Sequence, residues 1–197
     1  MVDTFTAKLS ESRSRASRPH RLPAVFLGLG LGGFIDGIVL HQVLQWHHLL
    51  TDTDGNPMTT VEGLEANTFA DGLFHLGTWV IVVIGIVCTL NDWRQRRATP
   101  PWGAQLGLVL AGWGLFNLVE GVVDHQILQI HHVRDDLGGP LSWDLGFLAL
   151  GAVLVLVGLA IEAAAWNGRR PRPGAGRRVR AGGPRPWVTP WRWRPGR

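Results

Sequence analysis

The chain has 197 residues, of which 46% are hydrophobic, and it carries 26 glycines and a formal net charge of +4 at pH 7. This length permits one domain, and the apolar, glycine-rich composition is not that of an ordinary soluble protein. The single cysteine excludes a disulfide framework or a thiolate metal cluster within one chain. The composition therefore predicts a small membrane protein without internal disulfides.

The chain begins with a basic arm, residues 1–21. The arm contains Arg13, Arg15, Arg18 and Arg21. A secretory signal also begins with basic residues, but no small-residue cleavage site follows this arm, and Asp36 interrupts the apolar run behind it. We therefore expect the first span to be retained and the arm to meet anionic lipid headgroups in the cytoplasm.

Four apolar segments follow, and each is long enough to cross a bilayer, which takes about 20 helical residues. They show too little of a polar face to be four helices of a soluble bundle. The predicted spans are residues 22–44, 69–90, 102–130 and 141–166. We predict an all-α polytopic membrane four-helix bundle over residues 22–166.

Basic residues predict the orientation of the bundle. They are Arg94, Arg96 and Arg97 between spans 2 and 3, and Arg169 and Arg170 after span 4. The loops 51–68 and 133–142 are acidic by comparison. Because basic loops stay in the cytoplasm, both termini are expected inside and these two loops outside. We expect a multi-pass protein of the inner (cytoplasmic) membrane.

The ends of spans 1 and 3 carry an internal repeat. DGIVLHQVLQWHH, from Asp36 to His48, returns as EGVVDHQILQIHH, from Glu120 to His132. Each half of the chain has two spans, so the two-helix repeats are parallel and would be related by an axis along the membrane normal. Polar groups are costly to bury in lipid, so a repeat that keeps them predicts a duplicated polar site.

Topology gathers the polar residues of this site at the extracytoplasmic end of the bundle, where spans 2 and 4 begin with Asp71 and Asp144. Imidazoles mixed with carboxylates suit Zn, Fe, Mn or Cu(II) rather than Cu(I). We therefore predict a transition-metal site for one or two ions. The candidate ligands are Asp36, His41, His47, His48, Asp71, His75, Glu120, Asp124, His125, His131 and His132.

A regular α-helix would divide these ligands. At about 100° per residue, Asp36 and His47 share one stripe, while His41 and His48 share another, turned about 140° away. The second copy has the same spacing. Either the bundle has two kinds of site, or one stripe binds while the other packs, caps or faces headgroups.

The two copies are not identical. Asp124 stands where the first copy has Leu40, and His75 corresponds to Leu148 when the starts of spans 2 and 4 are aligned. Asp124 and His75 each occur once, so we expect them to distinguish one metal position, or one chemical role, from the other.

Glycines on span 1 predict how the helices approach each other. Gly33 and Gly37 form a G-x-x-x-G around Asp36, and Gly28 and Gly32 repeat the spacing. Such a smooth face favours close helix contact. We expect span 1 to pack centrally with Asp36 inward, and a homodimer is possible.

The tail, residues 167–197, is rich in Arg, Pro and Gly and contains Trp187, Trp191 and Trp193. This composition predicts disorder, with the tryptophans resting among the inner headgroups. Nucleic-acid binding is not expected.

The repeat and its surroundings resemble a known family. GGFIDGIVLHQVLQWHH, FADGLFH and EGVVDHQILQIHH are similar to an uncharacterised family of bacterial four-span inner-membrane proteins, a domain of unknown function. The resemblance covers residues 22–166. It implies a fold without implying a function.

Several functions fit these observations. The first is metal handling, for example in metalloenzyme assembly. The second is a membrane metalloenzyme, either a zinc hydrolase with Glu120, Asp124 or Asp71 as general base or a di-metal oxidoreductase. The third is a haem protein with His41 and His125 as axial ligands, although many carboxylates argue against a haem pocket. A structural or proton-relay network is the remaining alternative. Transport is not expected, since the inner halves of the spans hold almost no polar groups.

We predict that His41→Ala or His125→Ala substantially lowers bound metal, while deletion of residues 167–197 leaves it unchanged. The measurement is elemental analysis of detergent-purified protein produced without a His tag. Equal metal retention in all three variants would contradict the metal site.

Overall fold

The computed structural model describes residues 20–168, and these residues form helices and loops without strands. The helices are α1 (Leu22–Ile35), α2 (Val61–Arg94), α3 (Trp102–Glu120) and α4 (Leu141–Asn167). Helix α1 continues as a π-helix over Asp36–Val43, α3 continues as a π-helix over Gly121–Leu128, and a short 3-10 helix covers Asp135–Leu137. Four helical stretches are long and apolar enough to cross a membrane. The prediction of an all-α polytopic four-helix bundle is confirmed.

The helix bounds agree with the predicted spans except in α2. This helix begins at Val61 rather than near residue 69, because the Thr60 side chain accepts a hydrogen bond from the backbone N–H of Gly63 at 3.1 Å. The predicted cytoplasmic arm and disordered tail lie almost wholly outside the described residues.

The helices pack in the order α2, α1, α3, α4. Helix α1 contacts both α2 and α3, and α3 contacts both α1 and α4. The two helices that carry the repeat therefore form the centre of the bundle, and the expectation of a central span 1 is confirmed.

Glycine pairs allow the central helices to approach closely. A Cβ on Gly28 would lie 2.0 Å from the carbonyl oxygen of Val109, and a Cβ on Gly112 would lie 2.3 Å from that of Val25. Gly28 and Gly112 therefore bring the backbones of α1 and α3 together from both sides.

The other side of α1 is covered by α2. A Cβ on Gly33 would meet the Thr78 side chain at 2.3 Å, and one on Gly37 would meet Nε2 of His75 at 2.6 Å. The glycine face of α1 is thus used within the chain. Dimerisation stays a prediction.

Two buried carboxylates, near the C-terminal ends of α2 and α4, correct the expectation that the inner halves of the spans hold almost no polar groups. Asp92 lies 2.7 Å from Nδ1 of His20, and Glu162 lies 2.8 Å from a guanidinium nitrogen of Arg21. The residues just before α1 are therefore tied to the ends of α2 and α4.

We predict that Gly112→Ala lowers the free energy of unfolding by about 1–3 kcal/mol, because the added methyl would overlap the α1 backbone. Gly77→Ala is the matched control, since nothing lies within 4 Å of its Cβ position and alanine favours the helix. Thermal unfolding in detergent checks the difference. Equal stability of the two variants would contradict the close packing of α1 on α3.

Candidate metal centre

The site begins where α1 and α3 change from α-helix to π-helix. A π-helix has i→i+5 hydrogen bonds, so residues five apart lie nearly above one another. Asp36 and His41 are five apart, and Oδ2 of Asp36 lies 3.2 Å from Nε2 of His41. The prediction that these residues lie on separate stripes is wrong, because it assumed an α-helix throughout the motif.

Each copy then reverses direction at a glutamine. Gln45 and Gln129 have φ of 51° and 49°, the left-handed region that non-glycine residues rarely adopt. After the reversal, the N–H of Trp46 bonds to the carbonyl of Leu40 at 2.9 Å, and the N–H of Ile130 bonds to that of Asp124 at 3.1 Å. The following histidines, His47 and His131, consequently leave the helix instead of extending its stripe.

Histidine and carboxylate side chains lie together in groups of three, and each group is close enough to hold one metal ion. Three such groups exist among the described residues, with ligand atoms within 4.8 Å of one another: His41, His47 and His131; Glu120, His125 and His131; Asp36, His41 and Glu120. Together they form what we call the central cluster: Asp36, His41, His47, Glu120, His125 and His131. Each copy of the repeat contributes one carboxylate and two imidazoles at matching positions.

The four imidazole rings of the central cluster contact one another with approximate two-fold symmetry. The rings of His47 and His131 are stacked, with centroids 4.7 Å apart and planes 5° from parallel. His41 contacts the ring of His47 at 4.5 Å, and His125 contacts that of His131 at 4.8 Å. Two equivalent imidazole pairs therefore meet at the pseudo-symmetry axis.

The central cluster is buried and rich in atoms without hydrogen-bond partners. His41, His47 and His131 are 0% exposed. Within residues 20–168, the cluster atoms that lack a hydrogen bond are both carboxylate oxygens of Asp36 and Glu120, Nε2 of His41, His47 and His131, and both ring nitrogens of His125. The contact between Asp36 and His41 is short but not aligned as a hydrogen bond. Such atoms are costly to bury unless another group binds them.

The two copies orient each other's histidines. Nδ1 of His47 lies 3.0 Å from the carbonyl oxygen of Val133, and Nδ1 of His131 lies 3.2 Å from that of Leu49. Each Nδ1–H donates to a backbone oxygen of the other copy, which leaves the Nε2 lone pair facing the central cluster.

Burial also keeps these two rings neutral. It lowers the pKa of His47 to about 4, and it lowers the pKa of His131 well below the usual value for histidine. A neutral imidazole is the form that binds a metal, so both rings have a free lone pair at pH 7.

Asp71 of α2 contacts several groups at once. Its carboxylate oxygens lie 2.9 Å from Nδ1 of His41 and 2.6 Å from Nδ1 of His48, and they accept from the backbone N–H of Leu49 at 3.0 Å. The Gln42 side chain donates to the same carboxylate at 3.1 Å. Asp71 therefore orients His41 toward the central cluster and fixes the loop that follows α1.

Asp144 in α4 has the corresponding position in the second half. Its oxygens lie 2.7 Å from Nδ1 of His132, accept from the backbone N–H of Val133 at 2.9 Å, and lie 3.7 Å from Nδ1 of His125. In each His pair, the first histidine belongs to the central cluster, while the second is held by a flanking carboxylate.

Asp124 and His75, the candidates without a counterpart, belong to none of the three ligand groups. Nδ1 of His75 lies 2.7 Å from the backbone oxygen of Asp71, and its ring packs against Gly37. Asp124 is only partly buried.

Asn67, which is fully buried, was not among the predicted site residues. Its side-chain oxygen accepts from the backbone N–H of Leu50 at 2.9 Å, and its amide donates to the carbonyls of Asn56 and Gly63. Asn67 thus fixes the loop behind His48. The sequence feature that could have identified Asn67 was its position one helical turn before Asp71.

We predict that Gln129→Gly raises the free energy of unfolding by about 1 kcal/mol, because glycine adopts the left-handed conformation at Gln129 without strain. Gln129→Val should lower it, since a β-branched residue is least tolerant of positive φ. Thermal unfolding of both variants in detergent gives the comparison. A lower stability for the glycine variant would contradict the reversal described above.

Comparison with known protein families gives a match over most of the chain. A family model described as "Predicted membrane protein (DUF2243)" matches residues 23–165, a range that covers all but the outermost residues of the four helices and includes both copies of the repeat. No curated protein and no solved structure matches the chain significantly.

Proposed function

The chain belongs to this family of predicted membrane proteins, and we propose that it binds a transition metal through the central cluster at one end of its helix bundle. Its ligands would come from the imidazoles of His41, His47, His125 and His131 and the carboxylates of Asp36 and Glu120, which approach one another in groups of three. The role would be metal handling or metalloenzyme assembly at the extracytoplasmic face.

One observation supports this proposal above the others. Lone pairs of imidazoles and carboxylates from both copies converge in a buried place and lack hydrogen-bond partners within the described residues. A hydrogen-bonded structural network would pair these atoms with each other. A metal ion binds several lone pairs at once and so offsets the cost of burying them.

Charge limits the number of ions. The two carboxylates of the central cluster balance one divalent cation, since the neighbouring imidazoles bind in their neutral form. His131 belongs to two of the three ligand groups, but its Nε2 has one lone pair and serves one ion only. We expect one divalent ion per chain, and a second ion only with a further anion such as hydroxide.

The ligand set favours Zn, Fe, Mn or Cu(II), which accept imidazole and carboxylate together. Asp71 and Asp144 would act behind the ligands, by orienting imidazoles and holding the second histidine of each pair. The four imidazoles contact one another at 4.5–4.8 Å between neighbouring centroids, which disfavours a haem between His41 and His125.

The position of the protein in the cell is part of the same proposal. The basic arm, the basic loop before α3 and the basic tail favour an inner-membrane protein with both termini in the cytoplasm and the central cluster outside. Contact of the two basic ends with anionic headgroups stays a prediction.

A membrane-embedded metalloenzyme is the second candidate function. It is favoured by a cavity of about 400 Å³ that opens beside the central cluster and has Asp36 in its wall. A metal with one open position next to this cavity would supply Lewis-acid or redox chemistry, and Asp36 would face both the ion and a bound molecule.

We predict that His131→Gln abolishes most metal binding, whereas His132→Gln retains it. These neighbouring histidines differ in position, because His131 belongs to the central cluster and His132 is held by Asp144. The measurement is elemental analysis of untagged protein in detergent, with wild type expected to hold about one ion per chain.

Thermal unfolding of His131→Gln and His132→Gln gives a second measure of metal binding. Added metal should raise the Tm of wild type and His132→Gln but not that of His131→Gln, because an ion stabilises only a fold that binds it. Circular dichroism and size-exclusion chromatography confirm that both variants are folded. Equal metal content in the two variants would refute the central cluster as the binding site.

A further inference from the structure

A lateral cleft separates α1 from α4. Both helices pack on α3 but do not pack on each other, and the space between them is the cavity of about 400 Å³. Aromatic side chains form much of its wall: Trp46, Trp113, Trp143 and Phe147. The cleft therefore suits a molecule with a flat apolar ring.

The inner wall of this cleft is polar and unsatisfied. Asp36 and Asn117 line it, although their side chains are only 4% and 3% exposed. Both oxygens of Asp36 and Oδ1 of Asn117 lack a hydrogen-bond partner within the described residues. All of these atoms are hydrogen-bond acceptors, so they suit a bound molecule that presents a donor.

The mouth of the cleft opens on the lipid-facing side of the bundle. Ile35, Val39 and Leu150 line it and are exposed, and they lie within membrane-spanning helices. At the outer edge, the Arg134 guanidinium lies over the rings of Trp46 and Trp143, 4.4 and 5.0 Å from their centroids. A ligand would therefore enter from the bilayer rather than from water.

The repeat does not create an equivalent cleft with the same chemistry. The position of Asn117 is Gly33 in the first copy, where a Cβ would lie 3.0 Å from the ring of Phe116. The amide acceptor is thus specific to the cleft between α1 and α4.

We propose that this cleft binds a lipid-soluble aromatic alcohol of the phenol or hydroquinone class. Its ring lies among the tryptophans and Phe147, and its hydroxyl donates to Asp36 and Asn117. The inference deepens the proposed function, because it names the class of molecule brought beside the metal, yet binding in the cleft does not itself require the ion.

The test uses metal-free full-length protein in lipid nanodiscs and tert-butylhydroquinone as the probe, under anaerobic conditions. Gly146→Phe fills the cleft, since Gly146 lines it and nothing lies within 4 Å of its Cβ position. Gly77→Phe is the matched control, because Gly77 is also exposed with open space at Cβ but lies on α2. The dimethyl ether of the probe is the control ligand, since it lacks a donor.

Equilibrium dialysis should show saturable binding of the hydroquinone to wild type and to Gly77→Phe. Gly146→Phe should lose about ten-fold or more in affinity, and Asn117→Leu and the diether should each weaken binding about ten-fold, as expected for lost hydrogen bonds to buried acceptors.

Two results would overturn the inference. Equal binding to Gly146→Phe and Gly77→Phe would mean that the probe only partitions into the bilayer. Equal binding of hydroquinone and diether would mean that Asp36 and Asn117 accept nothing from it. Metal uptake by the wild-type protein is measured separately. Absence of saturable probe binding by a wild-type protein that takes up metal rejects this inference alone, whereas probe binding by a wild-type protein that takes up no metal rejects the proposed function alone.

Discussion

Within a bilayer, a buried polar atom finds its partner inside the protein or not at all, and this constraint governs the bundle. Asp36 and Glu120 are carboxylates at buried positions of the two central helices, and four imidazoles surround them. The glycine contacts between α1 and α3 bring the two carboxylates toward one place. The close packing of the centre and the chemistry of the site are thus two aspects of one arrangement.

The repeat explains why neither half would form this site alone. His47 is oriented by the backbone of Val133, and His131 is oriented by the backbone of Leu49. Each half of the chain therefore supplies side chains of the central cluster and also backbone groups that orient the imidazoles of the other half. A carboxylate on the flanking helix, Asp71 or Asp144, completes each half.

The two halves of the bundle are not identical, and one difference lies at the cleft. Asn117 and the tryptophans line a cleft on one side, whereas the counterpart of Asn117 is Gly33, beside the ring of Phe116. The side with the cleft places apolar walls next to unpaired acceptors. This combination is the basis for proposing that a molecule dissolved in the membrane binds beside the central cluster.

The sequence by itself determined the four helices, their central pair and the residue types of the site, because apolar length, glycine spacing and a repeated polar motif depend on chain order alone. The sequence did not show which histidine of each pair, His47 or His48 and His131 or His132, belongs to the central cluster, because the two residues of a pair are identical and adjacent. The tertiary structure decided between them. The π-helical ends bring residues five apart into line, the left-handed glutamines turn the chain back, and the flanking aspartates hold the second histidine of each pair. Asn67 likewise gained its role only when the loop after α1 folded against α2. These outcomes depend on hydrogen bonds between segments distant in sequence, which helical periodicity does not contain.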